Sequence, residues 1–166
     1  MREIRPTTRA DLAEVDALLA RSYPRLLKHD YPPSVLVTAL PLIARAQPHL
    51  ATSGAYFAVI ESGRIVGVGG WSRDRRRRDL GHIRHVASDH RKVRTGIGRD
   101  LMHHILREAR GAGMTAMECR ATPTAVPFYA TFGFREVGPL DVELQPGITF
   151  TSVRMAMDLA DRHQPG

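Results

Sequence analysis

Cysteine is almost absent: Cys119 stands alone in 166 residues. No internal disulfide can form, so the core must hold the fold unaided, and a cytoplasmic setting is expected. Cys119 lies in an apolar segment and reads as a packed, unreactive thiol. No Cys/His spacing suits zinc, and no metal is expected. Long apolar runs are also missing, and the opening Met-Arg-Glu-Ile-Arg-Pro has no signal-peptide core, so no membrane partner is expected. Aromatic residues make up only 6%. None interleaves Arg73, Arg75, Arg76, Arg77 and Arg78, which argues against a stacking platform for single-stranded nucleic acid. Acidic residues are in deficit, 17 against 24 Lys and Arg, for a formal charge of +7. That balance favours polyanionic ligands, whether nucleic acid or a phosphorylated cofactor. The arginine run itself reads first as a solvated loop between strands and second as a nucleic-acid contact.

What is present is an ordinary globular mix of 43% apolar and 25% charged residues. The chain is long enough for one domain over residues 1–160, with a polar tail at 161–166. Residues 3–8 read as a strand. Residues 11–23 carry Leu12, Val15, Leu18 and Leu19 as a helical stripe, with Thr8 or Asp11 as cap and Pro24 as its end. A second helix is predicted over 34–46, with Pro41 as a kink or break. Residues 56–61 and 64–71 are β-prone runs joined by Ser62-Gly63, a hairpin signal. Further strands are expected over 82–88, 114–120, 134–137, 142–144 and 152–159, with a short helix near 125–131.

The most informative stretch is Val93-Arg94-Thr95-Gly96-Ile97-Gly98 followed by a helical pattern to Arg110. Leu101, Met102, Ile105, Leu106 and Ala109 share one face of that helix, and Gly111 and Gly113 stop it. Two glycines permit a sharp turn and close backbone approach, and a helix start leaves several N–H groups unpaired. Those groups at the positive end of the helix dipole suit a phosphate or pyrophosphate. Strand, helix and strand over residues 82–120 make a right-handed parallel crossover, with the helix start at the C-terminal end of the first strand. The antiparallel hairpin lies beside it. The expected fold is therefore a mixed α/β sheet with a phosphate site at its centre.

Three pieces together carry a family resemblance. They are His82-Ile-Arg-His-Val-Ala-Ser88, the turn ending Gly96-Ile97-Gly98, and Ala125-Val-Pro-Phe-Tyr-Ala-Thr-Phe-Gly-Phe134. This combination resembles the GCN5-related N-acetyltransferase (GNAT) superfamily. The resemblance implies a mostly antiparallel twisted sheet whose central parallel pair splays to admit acyl-CoA, with acetyl-CoA as cosubstrate. It implies that N–H groups of Val93, Arg94, Thr95, Gly96, Ile97 and Gly98 grip the pyrophosphate. It also implies a bulge near Val86, Ala87 and Ser88, where the strand runs beside the pantetheine arm. Arg99, Thr124 and Phe128 complete the implied cofactor contacts. Two positions depart from the family pattern. Val93 stands where Gln or Arg is usual, so Arg91, Lys92, Arg94 or Arg99 must supply any side-chain charge. Thr124 stands where Asn or Ser is common.

Acyl transfer to an amine needs a neutral amine, a donor for the thioester oxygen and help for the leaving thiolate. The resemblance assigns the oxygen to a backbone N–H at Val86 or Ala87, and the thiolate to Tyr129. An ordinary phenol near pKa ~10 is a weaker acid than a thiol near ~8.5, so full proton transfer is uphill by about 2 kcal/mol and a hydrogen bond is the expected role. His85 and Glu118 are the candidate bases. His82 and His85 differ by an odd number on one strand, so at most one faces the cleft. His103 and His104 read as surface or partly packed residues. The acceptor, a small-molecule or protein amine, should meet the first two helices, their loop and the last hairpin. Tyr23, His29, Tyr31 and Trp71 are candidates there, with Asp141 or Glu143 to attract a cationic amine. A non-catalytic acyl-CoA-binding module and nucleic-acid binding through the arginine run are the alternative functions, and a homodimer is compatible with the resemblance.

Overall fold

The Ser62-Gly63 signal is realised in the computed structural model, which describes residues 2–92 and 94–159. Strands β2 (Tyr56–Glu61) and β3 (Arg64–Arg73) pair antiparallel across it. Both turn residues have positive φ, as a two-residue loop matched to the strand twist requires. The other strands are β1 (Arg2–Pro6), β4 (Leu80–Ser88), β5 (Ala116–Ala121), β6 (Arg135–Gln145) and β7 (Ile148–Asp158). They form one seven-stranded sheet in the order β1-β2-β3-β4-β5-β7-β6. Every neighbouring pair is antiparallel except β4 and β5. The expected mixed, mostly antiparallel sheet with one parallel pair is what the chain adopts.

Among the described residues five α-helices cover the sheet: α1 (Leu12–Leu27), α2 (Pro33–Ile43), α3 (Pro48–Ala51), α4 (Ile97–Gly111) and α5 (Val126–Ala130). The alternation along β2 explains the two layers. Phe57 and Val59 point to one face, where they pack with Leu101, Met102 and Ile105 of α4. Tyr56 and Ala58 point to the other, where they meet Val15, Leu18 and Leu19 of α1. A third, smaller cluster joins Leu27 and Tyr31 to Leu36, Ala39 and Phe150, tying the first two helices to β7. Among the described residues no helix is long and apolar enough to cross a membrane.

Three expectations change. Helix α1 does not stop at Pro24 but runs through it to Leu27. The missing N–H costs one helical bond, roughly 3 kcal/mol in an isolated helix, and the burial of Leu27 on the next turn works against that cost. Helix α2 ends at Ile43, two residues past Pro41, instead of reaching 46. The two short strands predicted at 134–137 and 142–144 are one strand, β6. Gly138 and Pro139 lie within β6, which is the sheet edge, where a proline needs no partner on its outer side. The polar tail and Val93 lie outside the described residues.

Candidate active site

Strands β4 and β5 are paired only at Leu80–Ala116, Gly81–Met117 and His82–Glu118. Beyond that point β4 continues to Ser88 and β5 to Ala121 without pairing, so the strands splay. A bulge in β4 drives the separation. Val68 faces Ala87 and Gly70 faces Arg84, which leaves the single residue Gly69 opposite both His85 and Val86. A Cβ at Gly69 would sit 2.8 Å from the Val86 side chain and 3.2 Å from its Cα, so the bulge needs glycine there. His85 carries the strain, with φ of 47°. Its carbonyl accepts a hydrogen bond from the buried Tyr56 hydroxyl at 3.1 Å, and its Nε2 lies 3.0 Å from Gln47 Nε2. The bulge thus starts at His85 and Val86, at the early edge of the Val86, Ala87, Ser88 segment expected to hold it.

A cavity of about 460 Å³ fills the splay. Val86, Ala87 and Ser88 line one side, and Thr124, Ala125, Phe128 and Tyr129 line the other. Tyr23, Leu26 and Leu27 of α1, with Val142, Leu144 and Phe150 of the last hairpin, close the far end. Beside it, the β4–α4 turn forms a hollow lined by Ser88, Lys92, Arg94, Thr95, Gly96, Ile97, Gly98, Arg99 and Phe128. Ser88, Gly98 and Phe128 belong to both, so the two spaces adjoin. Helix α4 starts with Gly96 as N-cap at φ of 85°. Its carbonyl accepts the Asp100 N–H at 3.0 Å, while the N–H groups of Ile97, Gly98 and Arg99 precede the first helical bond. Three cations therefore ring a set of outward N–H donors. Val93, expected to join them, lies outside the described residues.

The turn is braced from behind. Arg2 of β1 donates to Asp100 at 2.7 Å, to Glu61 at 2.8 Å and to the Thr95 carbonyl at 3.0 Å. Asp89, buried before the turn, is held well below the usual carboxylate range chiefly by its hydrogen bond from Arg91. Its backbone joins the turn to β3 through Val66 and to Lys92. Gly98 has a separate steric reason: a Cβ there would meet the Phe128 ring at 3.1 Å.

A family model described as an acetyltransferase (GNAT) domain matches residues 38–159. The chain belongs to the GNAT family. Its fold is similar to that of a PaiA N-acetyltransferase of Thermoplasma acidophilum solved in complex with coenzyme A. That match has TM-score 0.74, 12% identity, and 95% of this chain and 99% of that chain covered. It is also similar to a GCN5-related N-acetyltransferase of Rhodopseudomonas palustris, with TM-score 0.79, 19% identity and 96% coverage of each chain. A third relative is the ribosomal-protein-S18-alanine N-acetyltransferase of Escherichia coli, with TM-score 0.67, 18% identity and coverage of 100% and 99%. No curated protein matches the sequence. At these identities the likeness is one of fold.

Within this GNAT frame the candidate residues separate. Tyr129 lines the cavity and is held above the usual phenol value by burial first, then by Cys119 and Tyr23. It is a poorer proton donor than a free phenol, so a hydrogen bond is its workable contribution. His85 also lines the cavity, and burial, then Arg84 and His49, lowers its imidazole below 6.5. It is neutral at neutral pH. Glu118 lies outside the main cavity, with its carboxylate on the Arg154 guanidinium. His82 is likewise turned away, 2.8 Å from Asp74. The two candidate bases therefore face different spaces, and of the two β4 histidines only His85 lines the main cavity. Cys119 reaches the cavity wall with its thiol pushed up to about 12 by burial and Glu118. It is packed and protonated, as the sequence suggested.

The Thr124 hydroxyl and N–H both donate to Asp30 Oδ1, the latter at 3.0 Å. Thr124 thus ties α5 to the loop after α1, and its hydroxyl is committed. Of the acceptor-side candidates Tyr23 lines the cavity, while Tyr31 donates to the Thr151 carbonyl at 2.6 Å and packs on Phe150. Asp141 accepts from Thr151 on the hairpin, and neither it nor Glu143 lines the cavity; His29 and Trp71 do not line it either. His103 is exposed and His104 half-buried. Arg84 and Arg120, which sequence reading passed over, do line it. Only their place on the two splayed strands marks them. The arginine run is a folded turn: Asp74 accepts from the N–H groups of Arg76 at 3.0 Å and Arg77 at 2.8 Å, and Arg73 donates to the Arg78 carbonyl at 2.8 Å.

Proposed function

We propose that this chain is an acetyl-CoA-dependent N-acetyltransferase that passes the acetyl group directly to an amine. The observation that carries the reading is the joining of a cationic, N–H-rich hollow to an apolar, tyrosine-lined cavity through Ser88, Gly98 and Phe128. That sequence of environments fits a ligand with a pyrophosphate at one end and a thioester at the other. Acetyl-CoA bound there supplies an activated carbonyl with a thiolate leaving group. The N–H groups of Ile97, Gly98 and Arg99, within the ring of Lys92, Arg94 and Arg99, hold the pyrophosphate. The β4 backbone at Val86, Ala87 and Ser88 runs beside the arm, and an N–H at Val86 or Ala87 polarises the carbonyl. Tyr129 donates a hydrogen bond to the departing sulfur. His85, kept neutral by its surroundings, takes the proton released by the attacking amine.

The test is calorimetric titration with acetyl-CoA and with free CoA, followed by thiol-release assays over a set of amines. Saturable binding near the micromolar range and thiol release on at least one amine are expected. Binding without turnover on any amine would replace the enzyme with an acyl-CoA-binding module, and no binding of either would overturn the reading altogether.

A further inference from the structure

The charges at the acceptor end of the cavity are all of one sign. Arg84 of β4 and Arg120 of β5 flank the splay and line the main cavity. The same two residues line the hollow on the outer side, with Arg73, Arg75 and Arg76 and the single carboxylate of Asp74. Among the described residues, no carboxylate lies within ion-pair distance of Arg84, Arg120 or Arg75. Nor does any Asp or Glu line the main cavity. The two carboxylates nearby are already committed: Glu118 to Arg154, and Asp74 to His82 and the amides of Arg76 and Arg77. Among the described residues the Arg84 side chain makes one hydrogen bond, from Nε to the Ser72 hydroxyl at 2.7 Å. Burial, then Arg120, then Arg75, lowers its affinity for the proton it nonetheless keeps. Arg84 is half-buried beside the exposed Arg120 and Arg75, so its guanidinium gains when an anion arrives.

The same cavity has an apolar stretch of wall made by Leu26, Leu27, Ile43, Val142, Leu144 and Phe150. We infer that the acceptor is a small amine that carries an anionic group on the same molecule, received by Arg84 and Arg120, and an apolar portion that packs on the apolar wall. Arginine matches carboxylate and phosphate-type oxygens with paired N–H donors, so the shared chemistry is an oxyanion. A diamine or polyamine fits badly, because its second ammonium would meet guanidinium groups in a partly desolvated site. The inference rests on reading this cavity as the acceptor end of an acetyltransferase.

The test uses a matched set of amines: phenylalanine, its carboxamide, phenethylamine and the phosphonate analogue of phenylalanine, with the corresponding leucine series. Each is titrated by calorimetry into wild-type protein, CoA-saturated and free, and into the Arg84→Gln/Arg120→Gln variant. Carboxylate or phosphonate members should bind about tenfold or more tightly than the amide and the plain amine. In the double variant that preference should shrink to about twofold or less, with CoA affinity unchanged as the control for folding. The arms also tell which oxyanion is favoured. Equal or better binding of the neutral-tailed amines, survival of the preference in the double variant, or no binding of any anionic member on the order of 10 mM would overturn the inference. CoA binding and thiol release are read separately, so loss of the transferase reading is distinguishable: an anion preference in the free protein stands without turnover, and turnover without it leaves only the enzyme.

Discussion

The two ends of the cleft are built in opposite ways. The donor end is local: the β4–α4 turn and the first turn of α4 lie within a dozen residues, and their working groups are main-chain N–H donors. The acceptor end is assembled from α1, α2, β5 and the β6–β7 hairpin, brought together from nearly the whole chain. Its working groups are side chains. A backbone N–H donor does not depend on the side chain its residue carries; where side chains bind, every substitution redraws the site. This contrast explains why one fold can keep a common donor while its acceptors diverge.

The contrast breaks most readily at Gly96. Gly96→Val forces a β-branched residue into φ of 85° and brings a side chain toward Arg99 and Arg2. At roughly 1–3 kcal/mol of backbone strain, acetyl-CoA affinity should fall about tenfold or more while the acceptor end keeps its shape. Unchanged affinity by calorimetry would remove the turn from the donor site. Tyr129→Phe should lower kcat about fivefold to tenfold, the worth of one lost hydrogen bond, with CoA affinity held within about twofold. Equal turnover on the best acceptor would take Tyr129 out of the chemistry.

Leu144→Ala, on the hairpin wall, should raise the acceptor KM about threefold to fivefold, consistent with roughly 1 kcal/mol of lost apolar contact. The donor KM should not move; if it does, the two ends are not separable. His85→Ala tests the pH dependence. A base whose imidazole is lowered below 6.5 is in its working form at pH 7 and loses activity only as pH falls through the lowered value. The variant should lose that acid limb from kcat/KM, and an unaltered profile would retire His85. The smallest effect belongs to Arg2→Ala, which removes the brace on Thr95 and Asp100. A loss of about twofold to threefold in CoA affinity is expected, on the order of a partly exposed ion pair, with acceptor kinetics as in the wild type.

Much of the donor end was legible because its signals are short-range. Ser62-Gly63 specified the hairpin, and Gly96 with the stripe from Leu101 to Ala109 specified the turn and α4. Pro24 misled because a local breaker was outvoted by burial of Leu27, and the gap expected between 137 and 142 is paired strand at the sheet edge. Alternation separated His82 from His85 but could not say which of them, or Glu118 on the neighbouring strand, faces the cavity, since that depends on where the two strands part. Thr124 looked available until Asp30, 94 residues away, claimed its hydroxyl. Arg84 and Arg120 are two arginines among many until the strands part.

The sequence by itself determined the order of elements, the glycine turn with its outward N–H groups, and the resemblance that places the chain among the GNAT acetyltransferases. Those are properties of neighbouring residues, set by backbone conformation and hydrophobic period. Only the tertiary structure decided which side chains share a space: Tyr129 with His85 and Tyr23 in the cavity, Glu118 outside it, and Arg84 beside Arg120 at its acceptor end. Splay, bulge and pairing join residues far apart in the chain, and no local preference encodes the distance between them.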